Sequence, residues 1–121
     1  MGPVPGYDDG NPKTVEQPGW RPLVPTPNHP EYPAAHGSIT GAMSELWRLY
    51  LGTKDVGLTI FGGTTFNQSR SFATVDDLRD EIVNARVWGG VHYRFSGEAG
   101  VALGIKVARY DLQTAFGLGD G

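Results

Sequence analysis

All nine prolines of this 121-residue chain lie within its first 33 residues, and this distribution constrains the fold more than any other feature. Proline fixes φ and lacks a backbone N–H, so residues 1–33 are expected to form neither a helix nor a central strand. Such a long stretch without regular structure is unusual inside a compact domain. We therefore predict an extended arm over residues 1–33, ordered by lying on other parts of the protein, and a helical region over residues 34–121.

The first predicted helix covers residues 34–51. Its apolar residues recur at three- and four-residue spacing and cover more than one stripe, so the helix needs neighbours on two sides. Gly52 is expected to end it in the usual C-terminal manner. Residues 57–71, around two adjacent glycines, read as an irregular connector with at most one helical turn.

Two further helices follow. Thr74 with Asp77 predicts a capping box at the start of the second helix, which Gly89 and Gly90 end. Ser96 is the expected N-cap of the third helix, which runs to about residue 115. The predicted fold class is all-α: a partial helical bundle of three main helices with a long irregular amino-terminal arm.

Composition excludes several classes of function. The net charge is −3 with both signs interspersed, so no nucleic-acid partner is expected. Without cysteine there is no disulfide or thiolate chemistry. Residues 1–10 lack a cationic start and an apolar core, so they do not form a signal peptide, and no apolar stretch could span a membrane. The sequence predicts a soluble chain and leaves its compartment open.

Two segments carry candidate chemistry, residues 29–37 and residues 86–96. The first places His36 in the opening turn of a helix, where backbone amides such as that of Ala35 are free to bind an anion. The second places Arg86 at a helix end and His92 six residues later, across a Gly-Gly turn. Imidazoles, a guanidinium and backbone amides together predict a site for a tetrahedral oxyanion.

These segments resemble the second and third signature motifs of the superfamily that joins vanadium haloperoxidases and type 2 phosphatidic acid phosphatases. The second motif is Pro-Ser-Gly-His, and residues 33–36 read Pro-Ala-Ala-His. The third is Ser-Arg, five residues, His, three residues and Asp, and here Ala85-Arg86, His92 and Ser96 stand at these spacings. The resemblance covers residues 28–110, and the lead-in His-Pro-Glu-Tyr is similar to the superfamily's soluble branch.

The resemblance implies a role for each matching residue. His92 would be the ligand of vanadate in a haloperoxidase or the nucleophile that forms a phosphohistidine in a phosphatase. Arg86 and the amide of Ala35 would bind equatorial oxygens. His36 would hydrogen-bond the apical oxygen, or protonate the leaving oxygen. Vanadate is the implied cofactor of the haloperoxidase, whereas the phosphatase would need none.

The sequence also departs from the superfamily pattern. Ala34 replaces the serine, Ala35 replaces the glycine, and Ser96 replaces the aspartate that orients the histidine. The first motif, Lys, six residues and Arg-Pro, has only an imperfect match in Lys13 and Arg21, which have seven residues between them and lie in the arm. We therefore expect an incomplete site, a chain that lacks amino-terminal helices, and a partner chain that supplies them.

Three functions stay open from the sequence. The favoured one is halide oxidation by hydrogen peroxide at a histidine-bound vanadate. The alternatives are hydrolysis of a phosphomonoester through a phosphohistidine, and a non-catalytic fragment that lacks the first motif. A zinc site built from all three histidines is not expected, because their spacings match no standard ligand pattern, and His29 is interpreted as structural.

Overall fold

The computed structural model describes residues 10–62 and 68–117. The elements, in chain order, are helix α1 (Ala35–Leu51), strands β1 (Asp55–Phe61) and β2 (Ser69–Thr74), and helices α2 (Val75–Trp88) and α3 (Arg94–Phe116). The most extensive packing joins α1 to α3, and α2 contacts both. None of the helices within the described ranges is long and apolar enough to cross a membrane.

The expectation of an all-α fold is wrong in one region, because an antiparallel hairpin replaces the predicted connector over residues 57–71. Leu58 pairs with Phe72, and Phe61 pairs with Ser69. Phe72 is the one buried residue of the two strands, and most of the others are exposed. A ribbon with both faces largely in water needs no alternation of polar and apolar residues, so its sequence lacked the period-two signal.

Helices α1 and α3 approach each other closely because glycines line their contact. A Cβ added to Gly41 would lie 2.4 Å from the carbonyl oxygen of Val101. One added to Gly104 would lie 2.0 Å from the carbonyl oxygen of Ser38. Both distances are far shorter than a van der Waals contact, so any side chain here would push the two backbones apart.

Helix α2 begins as the sequence predicts. The Thr74 hydroxyl accepts a hydrogen bond from the Asp77 amide (3.1 Å), and the Asp77 carboxylate accepts one from the Thr74 amide (2.8 Å), which confirms the capping box. The predicted C-terminal glycine of α1 is confirmed too, since Gly52 has a φ of 68°. The interior side of α2 buries Val83 against Gly97 of α3.

The predicted N-cap of the third helix is wrong. Helix α3 starts at Arg94, three residues earlier than expected, and Tyr93 is its N-cap. Ser96 is fully buried inside the first turn, and its hydroxyl donates to the main-chain carbonyl of Glu31 (2.5 Å). A serine hydroxyl can cap its own helix or bond a distant segment, and here the distant carbonyl is its partner.

A buried carboxylate joins the three helices. Glu45 of α1 is fully buried and accepts hydrogen bonds from three arginines, one on each helix: Arg48 (2.8 Å), Arg79 (2.7 Å) and Arg109 (2.8 Å). Burial alone would raise the pKa of Glu45, but the hydrogen bonds outweigh it and lower this pKa to about 2. The ionised carboxylate thus links residues from every helix of the bundle.

The described part of the arm runs across the turn between α2 and α3. The amides of Leu23 and Val24 both donate to the carbonyl oxygen of Gly89 (3.0 and 3.3 Å). Trp20 packs against Gly90, where a Cβ would lie 2.8 Å from the Trp20 ring and where the φ of 73° also favours glycine. These contacts bring the following segment, residues 28–33, to the start of α1.

Candidate functional site

His92 lies in the turn that joins α2 to α3, with only 1% of its side chain exposed. Its Nδ1 is 2.8 Å from the main-chain carbonyl oxygen of Glu31. A carbonyl only accepts, so Nδ1 carries the proton and Nε2 of the neutral ring carries a lone pair. Nε2 is buried, and no atom of the described residues offers it a hydrogen bond. Such a nitrogen is oriented to bind a ligand.

Glu31 of the arm holds this turn through both its main-chain carbonyl and its carboxylate. Its main-chain carbonyl accepts from both His92 Nδ1 and the Ser96 hydroxyl. Its carboxylate accepts from the Tyr93 amide (2.9 Å) and lies 3.5 Å from His92 Nδ1. The arm therefore determines how the imidazole of His92 is oriented.

Two further imidazoles stand beside His92. The His29 ring stacks on that of His92 with centroids 5.6 Å apart, and the His36 centroid is 5.7 Å from that of His29. One ring nitrogen from each of the three residues lies within 4.8 Å of the others. Burial lowers the pKa of His36, and the charges of Arg86, His29 and His92 lower it further. His36 is exposed, so the cluster opens to solvent on its side.

Arg86 supplies positive charge from the last turn of α2. Its Nε is buried, and within the described ranges it has no hydrogen-bond partner. Burial lowers the pKa of Arg86, and its charge acts on His36. A guanidinium whose donor is buried and unmatched is costly, and an anionic ligand would relieve that cost.

The start of α1 completes the site. The Ala34 amide donates to the Ser96 carbonyl (3.1 Å), and the Ser38 amide makes the first helical bond, to the Ala34 carbonyl (3.0 Å). The amides of Ala35 and His36 precede that bond and carry the positive end of the helix dipole. No side-chain hydrogen bond caps this helix, because Ala34 has no hydroxyl.

The structure thus brings His36, Arg86 and His92 together, although they come from two distant segments, and Ala35 directly precedes His36 at the start of α1. It adds His29, whose role the sequence had led us to interpret as structural. Spacing along the chain offered no signal for His29, because its proximity to His92 depends on how the arm crosses the helices. Lys13 and Arg21, which match the first motif only imperfectly, are exposed on the arm.

The gathered groups suit an anion better than a bare metal cation. Three imidazoles so close could hold a metal ion. The fold brings the histidines together even though their spacing in the sequence matches no standard zinc pattern. Arg86 places a positive charge beside them, which repels a cation and attracts an oxyanion. The lone pair of His92, the Arg86 guanidinium and the first amides of α1 fit vanadate, which needs one nitrogen ligand and donors for its oxygens.

A family model described as the VCPO second helical-bundle domain matches residues 4–120. Among solved structures, a holo-type bacterial vanadium-dependent chloroperoxidase is 27% identical with a TM-score of 0.64, over 79% of this chain and 23% of that one. A bacterial vanadium-dependent iodoperoxidase is 29% identical with a TM-score of 0.65, over 78% and 23%. The chain thus spans less than a quarter of these proteins. No curated relative matches the sequence.

Proposed function

We propose that this chain, which belongs to the vanadium haloperoxidase superfamily through its VCPO second helical-bundle domain, supplies the vanadate-binding part of a haloperoxidase site. One observation carries the proposal. The Nε2 atom of His92 and the Nε atom of Arg86 are both buried and have no hydrogen-bond partner among the described residues. Burying two such groups costs free energy that a bound oxyanion would recover.

Each residue would have a distinct task. His92 would bind vanadium through Nε2, and Arg86 would neutralise equatorial oxygens with the amide of Ala35. His36, exposed and with a lowered pKa, would hydrogen-bond the apical oxygen and exchange protons with incoming peroxide. Bound vanadate would supply the Lewis acidity that lets hydrogen peroxide take two electrons from a halide.

The donor set in this chain is smaller than the superfamily pattern. Ala34 offers no hydroxyl to an oxygen, and the cationic pair of the first motif has only an imperfect match. We propose that the missing donors come from helices outside this chain, either in a partner or in further sequence. Full halide oxidation is therefore proposed for the assembled protein, and oxyanion binding for the chain.

A phosphomonoesterase is the second candidate, because the same donors would hold phosphate and His92 would be its nucleophile. The similarity to a chloroperoxidase and an iodoperoxidase supports halide oxidation instead. The two activities separate in one pair of assays. Halide oxidation requires added vanadate and peroxide, whereas phosphomonoester hydrolysis proceeds without vanadate and is inhibited by it.

Calorimetric titration of the purified chain with vanadate tests the proposal. We expect saturable binding that His92→Ala abolishes and that Arg86→Ala weakens by about 10- to 100-fold, the value of a charge-assisted hydrogen bond. Arg70→Ala is the matched control, because Arg70 lies on β2 and pairs with Glu81.

Circular dichroism establishes that each variant is folded. A folded wild-type chain that releases no heat with vanadate would refute the proposal and favour the non-catalytic fragment. Equal affinity in wild type and His92→Ala would show that vanadate binds elsewhere.

A further inference from the structure

We infer that the carboxylate of Glu31 supplies the negative charge that the superfamily motif places at the position of Ser96. This inference rests on the proposed function, because it concerns how His92 is prepared for vanadate. The motif's aspartate follows the histidine after three intervening residues and orients it, and a serine stands there in this chain. Glu31 would be a positioning residue that acts through His92 and does not touch the oxyanion.

The hydrogen bonds around His92 show why serine cannot take the aspartate's place. The Ser96 hydroxyl donates its proton to the Glu31 carbonyl, the same atom that accepts from His92 Nδ1. It therefore shares the acceptor of the imidazole and brings no charge to it. The carboxylate of Glu31 lies 3.5 Å from Nδ1, on the side of the ring opposite the buried Nε2.

A negative charge beside His92 Nδ1 would strengthen the binding of a ligand at Nε2. When Nε2 binds a Lewis acid, electron density leaves the ring and the Nδ1–H becomes more positive. A carboxylate beside it stabilises that state, whereas a neutral carbonyl does so less well. Among the described residues, His29 and His36 belong to the same cluster as this ring and Arg86 acts on His36, and none of these three is an anion.

The carboxylate is also held in place. It accepts a hydrogen bond from the Tyr93 amide (2.9 Å), at the N-cap of α3, and 28% of the side chain is exposed. A purely structural reading would make Glu31 a tie between the arm and α3. Glu31→Gln separates the readings, because glutamine keeps an oxygen for the Tyr93 amide and the same main-chain carbonyl but carries no charge.

Vanadate affinity of four variants, measured by calorimetry, tests the inference. Removing a partner in the outer shell of a metal site commonly costs 10- to 100-fold in affinity, so we expect Glu31→Gln to weaken binding about 10-fold. Ser96→Asp alone should also weaken binding, because its carboxylate would be repelled by the Glu31 carboxylate and by the Glu31 carbonyl oxygen that Ser96 now bonds. The double variant Glu31→Gln/Ser96→Asp should recover to within about 3-fold of wild type. Glu16→Gln, an exposed arm residue, is the matched control.

The unliganded chain gives a second readout. The His92 Nδ1 proton should resonate downfield in wild type, move upfield in Glu31→Gln and return in the double variant, since a nearby anion deshields a hydrogen-bonded proton. Wild-type binding with no loss in Glu31→Gln overturns the inference and leaves the proposed function intact. An Nδ1 proton that does not move in Glu31→Gln overturns it even if wild type binds no vanadate.

Discussion

The two sides of helix α1 differ in a way that reverses the usual relation between polarity and burial. On the side that faces α3 and α2, the buried residues are Gly37, Gly41, Ser44 and Glu45. On the other side stand exposed apolar residues: Ile39 (67%), Met43 (44%), Leu46 (37%) and Tyr50 (89%). The buried stripe contains no large apolar side chain, and the apolar stripe is largely in water.

This contrast shows that shape and charge pairing, more than apolar area, determine how α1 packs. Glycines let the α3 backbone come close, which gains van der Waals contact over a long stretch. Glu45 then continues the same stripe one helical turn after Gly41 and is stabilised by three guanidiniums.

Gly104→Val should have the largest effect on stability. Its Cβ would lie 2.0 Å from the Ser38 carbonyl and 2.6 Å from the Ala42 amide, both backbone atoms that cannot move independently. We expect a loss of more than about 3 kcal/mol in the free energy of unfolding, measured by chemical denaturation. Gly19→Ala is the control, since its surroundings are open. A stable Gly104→Val chain would mean that the two helices do not pack as described.

Glu45→Gln should have the next largest effect. The amide cannot neutralise three arginines, although Arg48 and Arg109 are exposed enough to regain water. The loss should therefore come mainly from Arg79, only 13% exposed, and amount to roughly 2 kcal/mol. Urea denaturation measures it, and Glu98→Gln on the exposed side of α3 provides the comparison. Equal losses in the two variants would argue against the buried cluster.

Acid should remove the same stabilisation. The folded-state pKa of Glu45 is about 2, below its ordinary value of 4.5, so the stabilisation is complete above about pH 4.5. It is lost as the pH falls from there toward about 2, because the unfolded chain takes up the proton first. The stability difference between wild type and Glu45→Gln should be constant from about pH 5 to about 7 and shrink below. Thermal unfolding followed across this range measures that difference, and a gap that widens in acid would contradict the assignment.

Ile39→Lys should have the smallest effect on folding, because this side chain on the apolar side of α1 is already 67% exposed. We expect a change within about 0.5 kcal/mol in the free energy of unfolding. The same variant should lower self-association at high concentration, measured by sedimentation, because it interrupts an exposed apolar stripe. A large loss of stability would mean that Ile39 is buried in solution.

Much of the helical fold was predictable from local sequence signals. The capping box of Thr74 and Asp77, the terminal Gly52 and the break at Gly89 each act over a few residues, so the sequence alone identifies them. The hairpin was missed because its exposed strands have no apolar face to reveal their period. Which side of α1 is buried was also unpredictable, since apolar periodicity points to the exposed side.

The candidate site was also predictable only in part. Motif spacing identified His36, Arg86 and His92, because each stands at a fixed offset from a helix end or turn. Their roles as vanadate ligands remain predictions. His29 and Glu31 could not be predicted, since their positions depend on how the proline-rich segment crosses two helices. Ser96 was misassigned because its partner lies far away in the sequence.

The hydrogen bond from His92 to Glu31 joins residues 61 positions apart. Closing a loop of that length costs conformational entropy, and packing Gly41 of α1 on Val101 of α3 closes a loop of similar length. The imidazole of His92 is therefore oriented by the same chain closure that brings α3 onto α1. An oxyanion bound at this site would stabilise the folded chain, so ligand affinity and resistance to unfolding should rise and fall together.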